Sequence, residues 1–121
     1  MPVAWPAAIR REKETELRIV ADQKEWDLDP DLSGWPYGEN DRLVDSTGRE
    51  HRLVWVGNGR RGTADPEPTE RVLSLLEIAA LCESHLMSIG ASVLAYRDRV
   101  KNEPPHEWTK ASFAFLLEEA S

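Results

Sequence analysis

Apolar and polar positions alternate around Leu17 and Ile19, with Glu16 and Arg18 on the opposite side, the period of two that marks a half-buried strand. Residues 7–11 and 16–20 therefore predict two short strands joined as a hairpin around Lys13-Glu14. Asp22 followed by Glu25 has the shape of a capping box, with Trp26 as the apolar anchor of a single helical turn. From Asp27 to Asn40 the alternation stops. Asp27, Asp29, Asp31 and Glu39 mix with Pro30, Pro36, Gly34 and Gly38, and Trp35 and Tyr37 lie between them, which reads as an irregular loop held down by its aromatics. The clearest pattern comes next. Leu43-Val44-Asp45 and the turn residues Ser46-Thr47-Gly48 lead into a run in which His51, Leu53 and Trp55 share one face and Arg52, Val54 and Val56 the other, a second hairpin.

Residues 57–70 hold Gly57, Gly59, Gly62, Pro66 and Pro68 beside the adjacent Arg60 and Arg61, and read as a mobile connection. A helix follows: Ser74 is a good N-cap, Glu77 completes its capping box, and Leu75, Ile78, Cys82, His85, Leu86 and Ile89 recur at helical spacing before Gly90. The apolar run 91–96 fits a short buried strand or a continued helix, and the strand is the preferred reading. Pro104-Pro105 break the chain, and a terminal helix opens at Pro105 or Thr109 with Phe113, Leu116, Leu117 and Ala120 as its apolar stripe. Strands followed by helices define an α+β protein, with an antiparallel sheet of about four to five strands and two helices packed mainly on one face.

Composition narrows the function classes. With 121 residues the chain is read as a single α+β domain over 1–121. Its 22 Asp and Glu against 15 Lys and Arg give a charge of −7, which argues against nucleic acid and anionic membranes as partners. No apolar run approaches the roughly 18 residues of a membrane span, the N-terminus lacks the pattern of a secretory signal, and the lone Cys82 cannot form an internal bridge. The expected setting is cytoplasmic, without cofactor or membrane.

Several spacings invite a chemical reading. Gly57-Asn58-Gly59-Arg60-Arg61-Gly62 matches the dinucleotide fingerprint letter for letter. That motif needs a helix to start inside it, however, and Pro66 and Pro68 delay any helix to Ser74. What remains is a basic spot at which the Arg60 and Arg61 guanidinium forks could hold a carboxylate or phosphate, set against the plainer reading of a solvated loop. Asp27, Asp29 and Asp31 occupy alternate positions of a calcium loop, but Leu32 stands where that loop needs glycine and Gly38 where it needs a bidentate glutamate. Cys82 and His85, three apart on one helical face, make too few ligands for a metal site and read as core. His51 and His106 have no neighbours at ligand spacing. Asp45 and His51 could pair across their hairpin as acid and base, yet no nucleophile motif accompanies them, and they read first as strand and turn residues.

Of the five tryptophans, Trp55 and Trp108 read as structural. Trp35, beside Tyr37 and rimmed by Asp31, Glu39 and Asp41, is the candidate anchor for a protein partner with a basic surface, against the alternative that it pins its own loop to the core. The stretch Trp5-Pro6, Glu16-Leu17, Trp26 and Asp41-Arg42-Leu43-Val44-Asp45-Ser46-Thr47-Gly48, ending in a helix-strand-helix tail, resembles a family of small uncharacterised bacterial proteins, a domain of unknown function. The resemblance implies a compact α+β fold in a bacterial cytoplasm and assigns no catalytic residue. The function is therefore unknown from sequence. The leading reading is a small acidic non-enzymatic interaction module, a regulator or immunity-type partner. The alternative is a small-molecule or anion binder, with or without enzymatic activity, using Arg60 and Arg61 with His51 or Asp45 nearby.

Overall fold

A computed structural model describes residues 3–119. Its strands are β1 (Ala7–Arg10), β2 (Leu17–Val20), β3 (Arg42–Val44), β4 (Arg49–Asn58) and β5 (Arg61–Val72), and its helices are α1 (Gln23–Leu28), α2 (Leu75–Ser88), α3 (Val93–Val100) and α4 (Pro105–Glu119). The strands form one antiparallel sheet in the order β2-β1-β3-β4-β5. The fold is α+β, with four helices where the sequence pattern predicts two. Ala120 of the expected stripe on α4 lies outside the described residues.

Register assigns the two faces. Ala8 pairs with Ile19 and Val44, and these residues, with Leu17, meet Ile78, Cys82 and Leu86 of α2, Tyr96 and Val100 of α3, and Phe113 and Leu116 of α4. Ala7, Ile9, Val20, Leu43, Leu53 and Ala64 point the other way, onto Trp26 of α1 and Leu32 of the following loop. The sheet is thus sandwiched: three helices cover β2, β1 and β3 on one side, and α1 with an irregular segment covers the other.

Two expectations fail for identifiable reasons. Residues 57–70 are not a mobile connection. β4 runs to Asn58, turns at Gly59-Arg60 and returns as β5, with Asn58 opposite Arg61 and Gly57 opposite Gly62. Gly59 has φ +57° and Arg60 does not have positive φ, the pattern of a two-residue II′ hairpin turn. The paired glycines are a close-approach device: a Cβ on Gly62 would stand 2.9 Å from the Trp55 ring, so the indole lies across that gap and donates from Nε1 to Gly59 O at 3.1 Å. Pro66 and Pro68 are tolerated because β5 is an edge strand, where alternate N–H groups point away from the sheet. The Ala64 N–H, of the same parity, does point outward, to Ser33 O at 2.6 Å. Residues 91–96 are not a strand either. Ser92 caps α3 by accepting from Ala95 N at 3.0 Å, and Val93, Tyr96 and Val100 turn to the core at helical spacing while Leu94 faces out.

The capping box expected at Ser74 forms in full, and the one expected at Asp22 forms only in its N-cap half. Ser74 Oγ accepts from Glu77 N at 3.2 Å and Glu77 Oε1 accepts from Ser74 N at 3.1 Å. Asp22 Oδ1 accepts from Glu25 N at 2.8 Å, and Glu25 reaches back one residue further than usual, to Ala21 N at 3.2 Å.

Candidate functional site

The segment from Asp29 to Asp41 carries the candidate anchor, and hydrogen bonds fix it at both ends. Leu32 N and Ser33 N donate to Asp29 O, and Ser33 O accepts from both Ala64 N and Thr63 Oγ1 of β5. At the far end Asp41 Oδ1 accepts from Glu12 N and Oδ2 from Gly38 N, both at 2.9 Å, while Arg42 Nη1 holds the carbonyls of Glu39 and Asp41. Tyr37 between them stacks on Trp26 with ring centroids 6.3 Å apart, and the Arg11 guanidinium sits 5.6 Å above its ring. Burial pushes the Tyr37 hydroxyl above its ordinary pKa against the opposing pull of Arg11. Trp35, in contrast, is 49% exposed. The five candidate residues therefore separate: Trp35, Asp31 and Glu39 are surface groups, Tyr37 pins the loop, and Asp41 is its clasp.

Grooves run along this segment. One of about 490 Å³ is lined by Asp22, Lys24, Glu25, Leu28, Asp29 and Pro30, with Leu28 largely exposed. Two of about 240 Å³ share Arg11 and Asp31, one reaching Leu17 and Leu32 and the other Trp35. The calcium-like aspartates are spent on local structure: Asp29 accepts from Asp31 N at 2.9 Å and faces Arg18 at 3.5 Å, and Asp27 accepts from Gln23. No group of three or more His, Cys, Asp or Glu among the described residues is placed to hold a metal.

Arg60 and Arg61 are exposed at the tip of the β4–β5 hairpin. Seven residue steps along β4 separate His51 from Asn58, about 24 Å at the usual rise, so the structure does not bring the arginines to His51 or Asp45.

Asp45 and His51 do meet, with Asp45 Oδ2 2.8 Å from His51 Nε2. Burial alone would raise the Asp45 pKa, but hydrogen bonds from His51 and from the Thr47 side chain and backbone outweigh it and hold the carboxyl below its usual range. Oδ1 also accepts from Arg49 N at 3.2 Å, so Asp45 is the knot of the β3–β4 turn. His51 is 1% exposed and Asp45 3%, which closes the pair to any substrate from solution. Cys82 and His85 are likewise committed to the interior. Burial pushes the Cys82 thiol up to about 12, far from a thiolate at neutral pH. His85 Nδ1 accepts the Leu17 N–H at 2.9 Å, which ties α2 to the outer edge of β2 and fixes a neutral ring with its proton on Nε2. Burial lowers the His85 pKa, against the opposing influence of Glu16. His106 is exposed, 3.9 Å from Glu107.

Two features are invisible to spacing along the chain. Arg10, Arg42 and Arg52 are cross-strand neighbours on one sheet face, a juxtaposition that exists only once the register is known. Glu50, buried beside them, reads in sequence as one more polar strand position.

The fold and these sites describe an α+β sheet protein whose Asp45–His51 pair is buried and whose Trp35 stands exposed on a pinned loop. The chain belongs to the DUF4144 family, described as a protein structure with unknown function, whose model matches residues 5–94. A solved NMR structure of a protein from Shewanella amazonensis shares the fold, with a TM-score of 0.63 and 18% identity over 96% of this chain and 89% of that one. No curated protein matches the chain. No helix among the described residues is long and apolar enough to cross a membrane.

Proposed function

We propose that the protein is a non-enzymatic interaction module that recognises a protein partner through the layer formed by α1 and the 29–41 loop. The observation that carries this reading is Trp35, half exposed on a segment hydrogen-bonded to β5 through Ser33 on one side and to the β1–β2 turn through Asp41 on the other. An aromatic presented this way loses little conformational freedom on binding, the condition that makes tryptophan an effective anchor. Leu28 adds a second exposed apolar side chain to the same layer. Asp22, Glu25, Asp29 and Asp31 line the grooves, with Lys24 and Arg11 as the opposing charges. On a chain of net charge −7 this surface suits a partner whose apolar pocket is ringed by lysine and arginine.

The test is recovery of partners from native lysate on tagged wild-type protein, Trp35→Ala and Asp31→Asn, at low and high salt. A partner retained by the wild type, lost by Trp35→Ala and weakened by Asp31→Asn and by salt is expected, with melting temperatures unchanged. The same proteins retained equally by the wild type and both variants would overturn the reading.

A further inference from the structure

The helix layer stops short of the long hairpin, and the angle between α2 and the uncovered part of the sheet holds an unusual charge arrangement. Arg10, Arg42 and Arg52 stand opposite one another across β1, β3 and β4, and like charges in direct cross-strand register repel. Glu50 answers them from the next row. Its side chain is 8% exposed, with Arg42 at 3.2 Å, Arg71 at 3.5 Å and Arg10 at 3.9 Å. The donors are unevenly used. Arg42 donates to Glu50 and to the Glu39 and Asp41 carbonyls, Arg71 is bound to Glu77, and Arg52 faces Glu67 at 3.6 Å. Arg10 makes only its long approach to Glu50, beyond hydrogen-bond range. Glu50 Oε2 is buried and accepts no hydrogen bond. Arg10, Arg42 and Arg71 against Glu50 and Glu77 leave one guanidinium charge in excess, and Arg10 is the one least engaged.

Arg10 also lines a groove of about 260 Å³ whose other walls are Leu73, Glu77, Ala80, Leu81 and Ser84. We propose that this groove binds a small monocarboxylate with an apolar body, its carboxylate on Arg10 and its chain along Leu73, Ala80 and Leu81. One spare guanidinium, a planar fork with adjacent donors, matches one carboxylate. A second anionic group on the ligand meets Glu77 on the groove wall, which selects against dicarboxylates and phosphate. Turning Arg10 toward the ligand leaves Glu50 its closer partners Arg42 and Arg71. The site lies on the helix side of the sheet and is independent of the Trp35 surface.

The experiment is a titration of the ¹⁵N-labelled protein with hexanoate, adipate, hexanol and inorganic phosphate at constant ionic strength, with Arg10→Gln and Ala80→Trp as variants. Hexanoate is expected to give saturable shifts confined to the amides of Arg10, Leu73, Ala80, Leu81 and Ser84. Adipate, hexanol and phosphate are expected to bind about tenfold or more weakly, one charge-assisted hydrogen bond's worth of affinity. Arg10→Gln removes the anchor and Ala80→Trp fills the groove from an exposed helix position, so both abolish the shifts. Should Arg10→Gln fail to fold, Ala80→Trp decides. Absence of saturation, equal binding of phosphate, or hexanoate shifts that survive in a folded variant would overturn the proposal.

Discussion

The two faces of the sheet are covered by different means. On one face α2, α3 and α4 lay down Ile78, Cys82, Leu86, Tyr96, Val100, Phe113 and Leu116 at helical spacing, and side-chain packing carries the cover. On the other, α1 is six residues long, and the rest is irregular chain held by Trp26, Leu32, Tyr37 and the hydrogen bonds of Ser33 and Asp41. Helices bury a continuous stripe and satisfy their own backbone; an irregular cover must find partners for its backbone group by group. The second solution therefore places polar groups and an exposed indole at defined positions.

The largest effect that would break this contrast is at its centre. Trp26 is 2% exposed and is the one large side chain that α1 contributes to the core. Trp26→Ala is expected to cost about 3–5 kcal/mol in denaturant unfolding and to release the 29–41 loop, raising hydrogen exchange at Ala64, whose amide is bonded to Ser33. A smaller loss would mean that the loop is held without its aromatic anchor.

Acid sharpens the contrast next. The lowered pKa of His85 means that the unfolded chain binds a proton more readily than the folded one. The stability it contributes is present above its ordinary pKa of 6.5 and is lost as pH falls below it toward the folded value. Protonation of Nδ1 removes the acceptor for Leu17 N–H, on the helix side of the sheet. Asp45 acts later: its pKa is lowered from 3.8, so its share is present above that value and disappears as pH falls through the folded one. His85→Asn, which can keep an acceptor near the Nδ1 position without titrating, is expected to flatten the fall in melting temperature between neutral and mildly acid pH. It should leave the steeper loss at lower pH in place. An unchanged profile would remove His85 from the account.

At the small end, Arg60→Ala with Arg61→Ala should change stability by no more than about 0.5 kcal/mol and should not alter any anion-induced shift in melting temperature. Loss of such a shift in the double variant would assign anion binding to the hairpin tip.

The helix-covered face was the more legible in sequence, because the capping box at Ser74 and the apolar recurrence along α2 and α4 are local signals. The strand reading of residues 91–96 failed because a short apolar run carries either period, although Ser92 with Val93, Tyr96 and Val100 held the helical answer. β5 was hidden by Pro66 and Pro68, which break a central strand but sit comfortably on an edge. For the loop, the pinning role of its aromatics was readable, but which of them pins and which is exposed was not: Trp35 fitted either role, and the structure leaves it 49% exposed. That Asp41 is a clasp and Tyr37 a stacked post depended on distant partners, Glu12 and Trp26, that no local pattern reveals. The arginine row of β1, β3 and β4 depended in the same way on register.

The central claim is that recognition belongs to the loop-covered face. It is tested most directly by comparing Trp35→Ala with Leu76→Ala, which removes a side chain 83% exposed on α2, in one partner-retention assay under identical conditions. Both variants should keep the wild-type melting temperature. The account predicts that Trp35→Ala loses the partner and Leu76→Ala retains it; retention by Trp35→Ala with loss by Leu76→Ala would place recognition on the helices and contradict it.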